Sequence, residues 1–390
     1  MISSCRLLAA IGDEFDRERP FAGLKIGTGI HLEPKTVALL LTLVRGGAEV
    51  VATGNLNTTQ QEALDYLAAR GVRVVGAPTS DPSEHDRYLR EVLAAEPGLL
   101  LDNGGDLFAR WVEHPYPTLI GGTEETTSGR VRLEPLREVI GRPVLVINDS
   151  PIKQFAENRH AVGQSSLESF LRITNLSTNG KRVTVFGYGA CGRGVAAHFR
   201  SAFADVSVVE IDPVTRLEAL LDGFAVPERD QALADADLVI TATGARDVVT
   251  AADLPLLASG AVLMNVGHFP FEIDAPGIET DRSVIGRTDT AEGITTFTLV
   301  DGRRLHLLTG GHMANLAGPR PLGNSIESMD LGFALQARCL EAIARGGIDS
   351  SRCVVPVPAE IDGATASGYI ALAARNGRAS DESGPVATRA

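Results

Sequence analysis

Three glycines at a fixed spacing are the clearest candidates for chemistry in this sequence, in the pattern Gly187-x-Gly189-x-x-Gly192. A β-branched run precedes them and a helical apolar pattern follows. In such a strand–turn–helix unit the first glycine permits a tight turn and the second lets the backbone approach a pyrophosphate. The third lets the helix pack closely on the strand. The pattern therefore predicts a dinucleotide site, with Ala190 and Cys191 in the same turn.

An acidic residue follows at the expected distance. Glu210 ends the next β-branched run, 210 − 192 = 18 residues beyond the last motif glycine. A carboxylate there binds ribose hydroxyls and repels a 2′-phosphate, so the cofactor is expected to be NAD rather than NADP. Two later strand-like runs end in residues predicted to line the crevice at the carboxyl ends of the strands, where such folds bind ligands. These residues are Thr243, Gly244, Val266 and Gly267.

The elements that must position these residues alternate short apolar runs with helix-length segments. That alternation predicts an α/β fold with parallel sheets. Strand-like runs occur at 47–52, 72–75, 98–101, 143–147, 182–186, 206–211 and 236–241.

Composition excludes several classes of function. The formal net charge of −13 over 390 residues leaves no basic surplus for sequence-independent nucleic-acid binding. The four cysteines, at 5, 191, 339 and 353, lack metal-ligand spacing, so no metal site and no disulfides are expected. No secretory signal and no apolar run of membrane-spanning length is visible, which predicts a cytoplasmic protein.

Several segments resemble the S-adenosylhomocysteine hydrolase family in the same order along the chain. The most specific is Asn148-Asp-Ser-Pro-Ile-Lys153, followed by Glu157-Asn158, just before the predicted NAD domain. Others are Gly29–His31, Asn55–Gln60, Leu101–Asp106, Glu124–Gly129, Gly187–Gly194, Glu210–Pro213, Asn265–Phe269 and Asn315-Leu316. Together they span most of the chain.

The resemblance implies a reaction in which bound NAD oxidises the 3′-hydroxyl of a nucleoside to a ketone. The ketone acidifies the C4′ proton, the 5′ substituent leaves by elimination, water adds and the ketone is reduced again. The protein then has to position the ribose, supply acid–base groups and exclude water from the ketone.

Carried over position by position, the resemblance implies roles for individual residues. Lys153 corresponds to the lysine that helps remove the 3′-hydroxyl proton, and His31 to the histidine near the 5′ leaving group. The remaining catalytic candidates are Glu157, His268 and Asn103. Substrate-binding candidates are Glu33, Thr58, Gln60, Glu125, Asn158 and His312. Further cofactor-binding candidates are Thr126, Thr127, Ser128 and Asn315.

Departures from the family pattern concentrate at the substrate. Asn103 stands where the family has a catalytic Asp, and an amide cannot accept a proton at neutral pH. Glu157 replaces an Asp, which keeps a carboxylate but moves it by one methylene. Lys35 stands where the family places an acid near the adenine amino group. The loop 317–323 differs in composition, and the Lys- and Tyr-containing tail is expected to be absent after Arg378.

These departures favour a nucleoside 5′-dehydratase or lyase of secondary metabolism, which would leave a 4′,5′-unsaturated nucleoside. One alternative is an S-adenosyl-L-homocysteine hydrolase with redistributed acid–base groups. Others are a non-catalytic NAD-binding regulator and a 2-hydroxy-acid dehydrogenase, although the latter would not explain the segment 148–158.

The expected architecture has two Rossmann-like, doubly wound parallel-sheet domains joined by hinges near 150–165 and 315–330. The substrate domain would cover 1–150 with a return segment near 320–345, and the NAD domain 151–318. Residues 346–390 would form a C-terminal segment with a shortened tail. The active site is expected in the cleft, and a homo-oligomer, dimer or tetramer, is expected.

Overall fold

A computed structural model describes residues 4–379 of the chain. The predicted tail beyond 379 lies outside these residues. The chain divides into two compact units: a first unit, Met1–Lys153 with Ile326–Ala390, and a second unit, Gln154–Ser325. The division falls three residues after the predicted end of the substrate domain. The described part of 346–390 belongs to the first unit.

The strands are β1 (Lys25–Ile30), β2 (Glu49–Gly54), β3 (Arg73–Val74), β4 (Leu99–Asp102), β5 (Gly121–Glu124), β6 (Val144–Val146), β7 (Arg182–Phe186), β8 (Asp205–Val209), β9 (Leu238–Thr241), β10 (Val262–Asn265), β11 (Val284–Asp289), β12 (Ile294–Leu299), β13 (Arg304–Leu308) and β14 (Val355–Pro356).

The α-helices are α1 (Arg6–Glu18), α2 (Pro34–Arg45), α3 (Gln61–Ala68), α4 (Pro82–Leu93), α5 (Asp106–Glu113), α6 (Thr127–Leu133), α7 (Arg137–Ile140), α8 (Val162–Thr174), α9 (Ala190–Ser201), α10 (Pro213–Leu221), α11 (Arg229–Asp235), α12 (Ala275–Thr280), α13 (Ile326–Ala344) and α14 (Ala359–Ala379). A π-helical segment, Lys153–Ala161, precedes α8. No helix within residues 4–379 is both long and apolar enough to span a bilayer.

The sheet of the first unit has the order β14-β6-β5-β4-β1-β2-β3, and all its neighbours are parallel. Every residue of β4 is buried, as expected for a central strand covered on both faces. The α/β prediction is confirmed here. The runs named from the sequence omit β1 and β5, because both strands contain glycines that lower strand propensity. Gly122 is required because a Cβ there would lie 2.0 Å from the Leu100 carbonyl oxygen.

The sheet of the second unit has the order β11-β12-β13-β10-β9-β7-β8. Strands β7 to β10 and β13 pair in parallel, whereas β11, β12 and β13 form an antiparallel meander at one edge. The predicted Rossmann arrangement is therefore confirmed for the parallel part. The meander was not predicted, because β11 has no buried residue and four of its six residues are exposed, so it lacks the apolar pattern of a strand.

Candidate active site

In the first unit, polar residues follow the carboxyl ends of β4 and β5. Asp102 and Glu124 end these strands directly opposite each other, and Asn103 and Glu125 come next. The carboxyl ends of parallel strands are where such folds bind ligands. The sheet therefore brings together two candidates that lie 22 residues apart in sequence.

A chain of hydrogen bonds joins these candidates to the lysine. Asn55 Nδ2 donates to Asn103 Oδ1 (3.0 Å), and Asn103 Nδ2 donates to Glu125 Oε2 (3.2 Å). Lys153 Nζ donates to Glu125 Oε1 at 2.9 Å. Asn103 thus presents its amide hydrogens to Glu125 and its oxygen to Asn55. Among the described residues, Asn55 Oδ1 is buried and accepts no hydrogen bond.

The Lys153–Glu125 pair is largely removed from solvent, with side chains 7% and 15% exposed. Burial raises the pKa of Glu125, but the charge and hydrogen bond of Lys153 outweigh it, and the pKa lies below its ordinary value. His31 and the Asn103 amide lower it further. Glu125 is therefore held ionised beside a lysine.

The segment after β1 contributes the predicted histidine. His31 Nδ1 lies 2.6 Å from Thr58 Oγ1, so two predicted site residues meet. Gln60 precedes α3 and its backbone N–H donates to the Leu32 carbonyl. Glu33 and Lys35 form a buried ion pair with Oε2 and Nζ 2.8 Å apart, and burial raises the pKa of Glu33.

The three residues after Glu125 begin α6. Thr126 caps this helix by accepting from the Gly129 N–H, and its hydroxyl lies 2.9 Å from Ser128 Oγ. Thr127 Oγ1 accepts from Asn148 Nδ2 at 2.7 Å. These hydroxyls are thus held at the strand ends, and their predicted contact with the cofactor remains a prediction.

In the second unit, the glycine motif has the geometry that a pyrophosphate requires. Gly187 has φ +92°, which favours glycine, and a Cβ on Gly192 would lie 2.0 Å from the Gly187 carbonyl oxygen. A Cβ on Gly189 would meet no atom of the described residues within 4 Å beyond the adjoining backbone, so the backbone there is open to a ligand. Helix α9 starts at Ala190 with Cys191 in its first turn, so its N–H groups and dipole favour an anion.

Three backbone groups orient the Glu210 carboxylate at the end of β8. Oε2 accepts from the Tyr188 N–H (2.8 Å), and Oε1 accepts from those of Ile211 (2.7 Å) and Asp212 (3.0 Å). This ties the predicted ribose-binding acid to the glycine turn. Asp212 instead caps α10 through the Thr215 N–H.

We expect Glu210→Ser to raise the affinity for NADP relative to NAD by at least about tenfold, roughly 1.4 kcal/mol. The serine removes the charge that repels a 2′-phosphate and the acceptor for ribose hydroxyls. Binding titrations with both cofactors measure the ratio. Asp212→Asn is the matched control and should leave it unchanged. An unaltered ratio in Glu210→Ser would contradict the assignment.

A carboxylate that the sequence analysis missed organises the loops after β9 and β10. Glu272 is fully buried, and Oε2 accepts from Thr243 N and Oγ1 while Oε1 accepts from Gly244 N. Burial raises its pKa. Thr243 and Gly244 therefore use these N–H groups internally. No sequence signal separates Glu272 from a surface acid.

The neighbouring loop after β10 carries Val266, Gly267 and His268. Asn265 holds it, because its Oδ1 accepts from Gly267 N at 2.8 Å. The His268 ring lies edge-on to Phe269, with centroids 4.8 Å apart. Burial lowers the pKa of His312, whose backbone N–H donates to the Thr309 carbonyl.

Asn315 offers an acceptor of the kind a carboxamide would need. It is buried, its Nδ2 donates to Ser165 Oγ at 3.1 Å, and its Oδ1 accepts no hydrogen bond from a described residue. Ser165, on α8, was not a predicted site residue. The open glycine turn, the oriented Glu210 and this acceptor fit NAD.

Two further candidates, Glu157 and Asn158, lie in the π-helical segment. Glu157 is 2% exposed and Asn158 is half-buried. π-Helical turns are rare and often occur at functional sites. Lys153, Glu157 and Asn158 share this one segment, and the predicted roles of the last two remain predictions.

Comparisons with known proteins show the family to which this chain belongs. The family model for the NAD-binding domain of S-adenosyl-L-homocysteine hydrolase matches residues 158–320, and the model for S-adenosyl-L-homocysteine hydrolase matches 4–116. The S-inosyl-L-homocysteine hydrolase of Methanopyrus kandleri is 40% identical over 91% of this chain and 85% of its own length. The adenosylhomocysteinase of Thermococcus kodakarensis is 38% identical, with the same coverage of both chains.

Among solved structures, a dipicolinate synthase chain from Bacillus halodurans has a TM-score of 0.52 at 14% identity. The match covers 83% of this chain and 99% of that one, and it supports the fold alone. The two family models and relatives near 40% identity show more than the fold. This chain is an NAD-dependent enzyme of the S-adenosyl-L-homocysteine hydrolase family.

Proposed function

We propose that the enzyme hydrolyses an S-nucleosyl-L-homocysteine, releasing homocysteine and a purine nucleoside. The observation that carries this proposal is the Lys153–Glu125–Asn103 network at the ends of β4 and β5. Relatives named as hydrolases of S-inosyl- and S-adenosylhomocysteine support the thioether substrate. A hydrolase, which the sequence left as an alternative, is therefore preferred over the dehydratase.

NAD supplies the chemistry of removing hydride from the ribose C3′ and later returning it. For Lys153 Nζ to accept the 3′-hydroxyl proton, it must first become neutral. Burial and the positive charge of a bound nicotinamide would favour the neutral amine, and the ionised Glu125, with Oε1 at 2.9 Å, orients Nζ and pairs with the ammonium once it has taken the proton. When the ketone is reduced, the same proton returns to the 3′ oxygen. Asn55 Oδ1, which lacks a donor among the described residues, would accept from a ribose hydroxyl.

His31 would protonate the departing sulfur, since Thr58 Oγ1 at 2.6 Å orients its imidazole. Asn103 can hold a hydroxyl or a water but cannot take the C4′ proton. We assign that role to Glu157, the buried carboxylate that stands where the family has an aspartate. The family resemblance assigns Asn158 to orienting the ribose and makes His268 a further catalytic candidate.

The base is proposed to be a 6-oxopurine. Lys35, carried over to the base by the family resemblance, offers only donors, which suit a 6-oxo acceptor and not a 6-amino group. Its ammonium is held 2.8 Å from Glu33. Two relatives at 40% and 39% identity are named S-inosyl-L-homocysteine hydrolases, which supports this base.

A nucleoside 5′-dehydratase is the second candidate, and one observation favours it. Asn103 is an amide whose two ends are engaged by Asn55 and Glu125, so it supplies no base to activate returning water. In that case elimination would not be followed by hydration.

The test is to incubate the NAD-loaded enzyme with S-inosylhomocysteine, S-adenosylhomocysteine, inosine and adenosine, and to identify products by mass spectrometry. We expect homocysteine, with a higher kcat/KM for the inosyl substrate. A nucleoside lighter by one water would instead establish the dehydratase. If no product forms and no NADH absorbance develops, the proposed function fails.

A further inference from the structure

Two carboxylates lie directly behind the site and have no role in the mechanism above. Asp102 and Glu124 are the last residues of β4 and β5, they face each other across the sheet, and both are 0% exposed. Carboxylates are almost never fully buried unless several donors satisfy them. The hydrogen bonds that these two carboxylates accept show which parts of the chain they hold in place.

Asp102 binds the turn that carries Asn103. Its Oδ1 accepts from the Asn103 N–H (2.9 Å), and its two oxygens accept from the Leu107 N–H at 3.0 and 2.9 Å. Oδ2 also accepts from the Phe108 N–H at 3.0 Å. The carboxylate thereby anchors the turn to the first residues of α5.

Glu124 links that turn to the next one. Its Oε1 accepts from Gly104 N (3.0 Å), Thr126 N (2.7 Å) and Thr126 Oγ1 (2.7 Å), and its Oε2 accepts from Gly105 N (2.9 Å). Gly104 and Gly105 follow Asn103, whereas Thr126 follows Glu125. A Cβ on Gly129 would lie 2.1 Å from this carboxylate, so the glycine makes room for it.

The two turns carry the partners of the Asn103–Glu125 hydrogen bond, and Glu125 in turn pairs with Lys153. We propose that Glu124, supported by Asp102, is a positioning residue that sets the Asn103–Glu125 contact and thereby the geometry of the Lys153 proton acceptor. Glu124 itself touches none of the reacting groups. The kinetic part of this inference rests on the proposed function.

The surroundings of Asp102 and Glu124 make it costly in free energy to keep both carboxyl groups ionised. Burial raises the pKa of both carboxyl groups, and the charge of Asp106 raises that of Asp102 while Asp102 raises that of Glu124. Arg110, Arg132 and His85 face Asp106 instead. Retaining two such groups side by side is expected where they hold a required geometry.

The test is a double-mutant cycle between Glu124→Gln and Asn103→Ala. Gln offers one acceptor oxygen, so its amide nitrogen faces a backbone N–H that Glu124 now binds. We expect Glu124→Gln to lower kcat by up to about a hundredfold with little change in KM, because a shift of about 1 Å can have that effect. The double variant should be no slower than the slower single variant.

Asp330→Asn is the matched control. Asp330 is also buried and accepts from two backbone N–H groups, those of Leu7 and Leu8 at 2.8 Å, on α1. It should lower the unfolding midpoint without changing kcat. An unchanged kcat in Glu124→Gln, or kcat losses that multiply fully in the double variant, would overturn the proposal.

The side-chain amide NMR signal of Asn103, identified by its loss in Asn103→Ala, gives a readout independent of turnover. We expect Glu124→Gln to shift this signal and Asp330→Asn to leave it in place. If the signal shifts in Glu124→Gln but the wild-type enzyme converts no nucleoside substrate, the proposed function fails and the positioning role stands. If the signal does not move, the positioning role fails whatever the activity.

Discussion

Replacing Lys153 with methionine is expected to lower kcat by about 10²- to 10⁴-fold, the usual contribution of a positioned acid–base group. Its Nζ is the group of this network that can accept the 3′-hydroxyl proton, because the side-chain nitrogens of Asn55 and Asn103 are amides. Single-turnover measurement of NADH absorbance isolates the oxidation step. The affinity for NAD is measured alongside by titration, because Thr126 to Ser128, which follow Glu125, are predicted to contact the cofactor.

Loss of stability has to be separated from loss of chemistry in this variant. Removing Lys153 leaves Glu125 as a buried charge without its cation, at a cost of about 3–5 kcal/mol. The double variant Lys153→Met/Glu125→Gln should recover most of the unfolding free energy in urea but none of the turnover. If Lys153→Met alone retains turnover within about tenfold of wild type, Lys153 does not take part in the proton transfer.

Two glycine substitutions in one turn are expected to separate cofactor binding from folding. Gly189→Ala should raise the Kd for NAD at least about tenfold, roughly 1.4 kcal/mol. Its methyl group would enter the open space predicted for the pyrophosphate, because beyond the adjoining backbone no atom of residues 4–379 lies within 4 Å. Since Gly189 has φ −67°, alanine fits the backbone and the melting temperature should not fall.

Gly192→Ala is the complementary change, because we expect it to destabilise the fold. Its methyl group would lie 2.0 Å from the Gly187 carbonyl oxygen and 2.8 Å from the carbonyl carbon, so α9 must move away from the turn. We expect a loss of about 1–3 kcal/mol, typical of overpacking, together with weaker NAD binding. Thermal unfolding and calorimetric titration of both variants measure the contrast. Wild-type NAD affinity in Gly189→Ala would rule out phosphate binding at this turn.

Local patterns were sufficient for the class of protein. Alternating strand and helix signals predicted α/β units, and the glycine motif with Glu210 at its usual distance predicted NAD. Both predictions are confirmed by the parallel sheets and the family match. These signals are local, because each comes from one strand–turn–helix unit whose residues are close in sequence. The assignment of individual site residues stays a prediction.

Contacts between distant segments could not be predicted in the same way. The pairing of Asn103 with Glu125, and of Glu272 with Thr243 and Gly244, depends on strand register and on loops 22 to 29 residues apart. Asp102 and Glu124 resemble ordinary acids in sequence, and only the parallel register places them opposite each other.

The sequence by itself therefore determined the fold class, the cofactor and the chemical types of the candidate groups. Only the tertiary structure decided which of these groups meet, which are ionised and which serve to hold a turn. The physical reason is that burial and hydrogen-bond geometry depend on the packing of strands far apart in the chain. The residue type determines which hydrogen bonds a side chain can donate or accept, and the register of the sheet determines which residue is its partner.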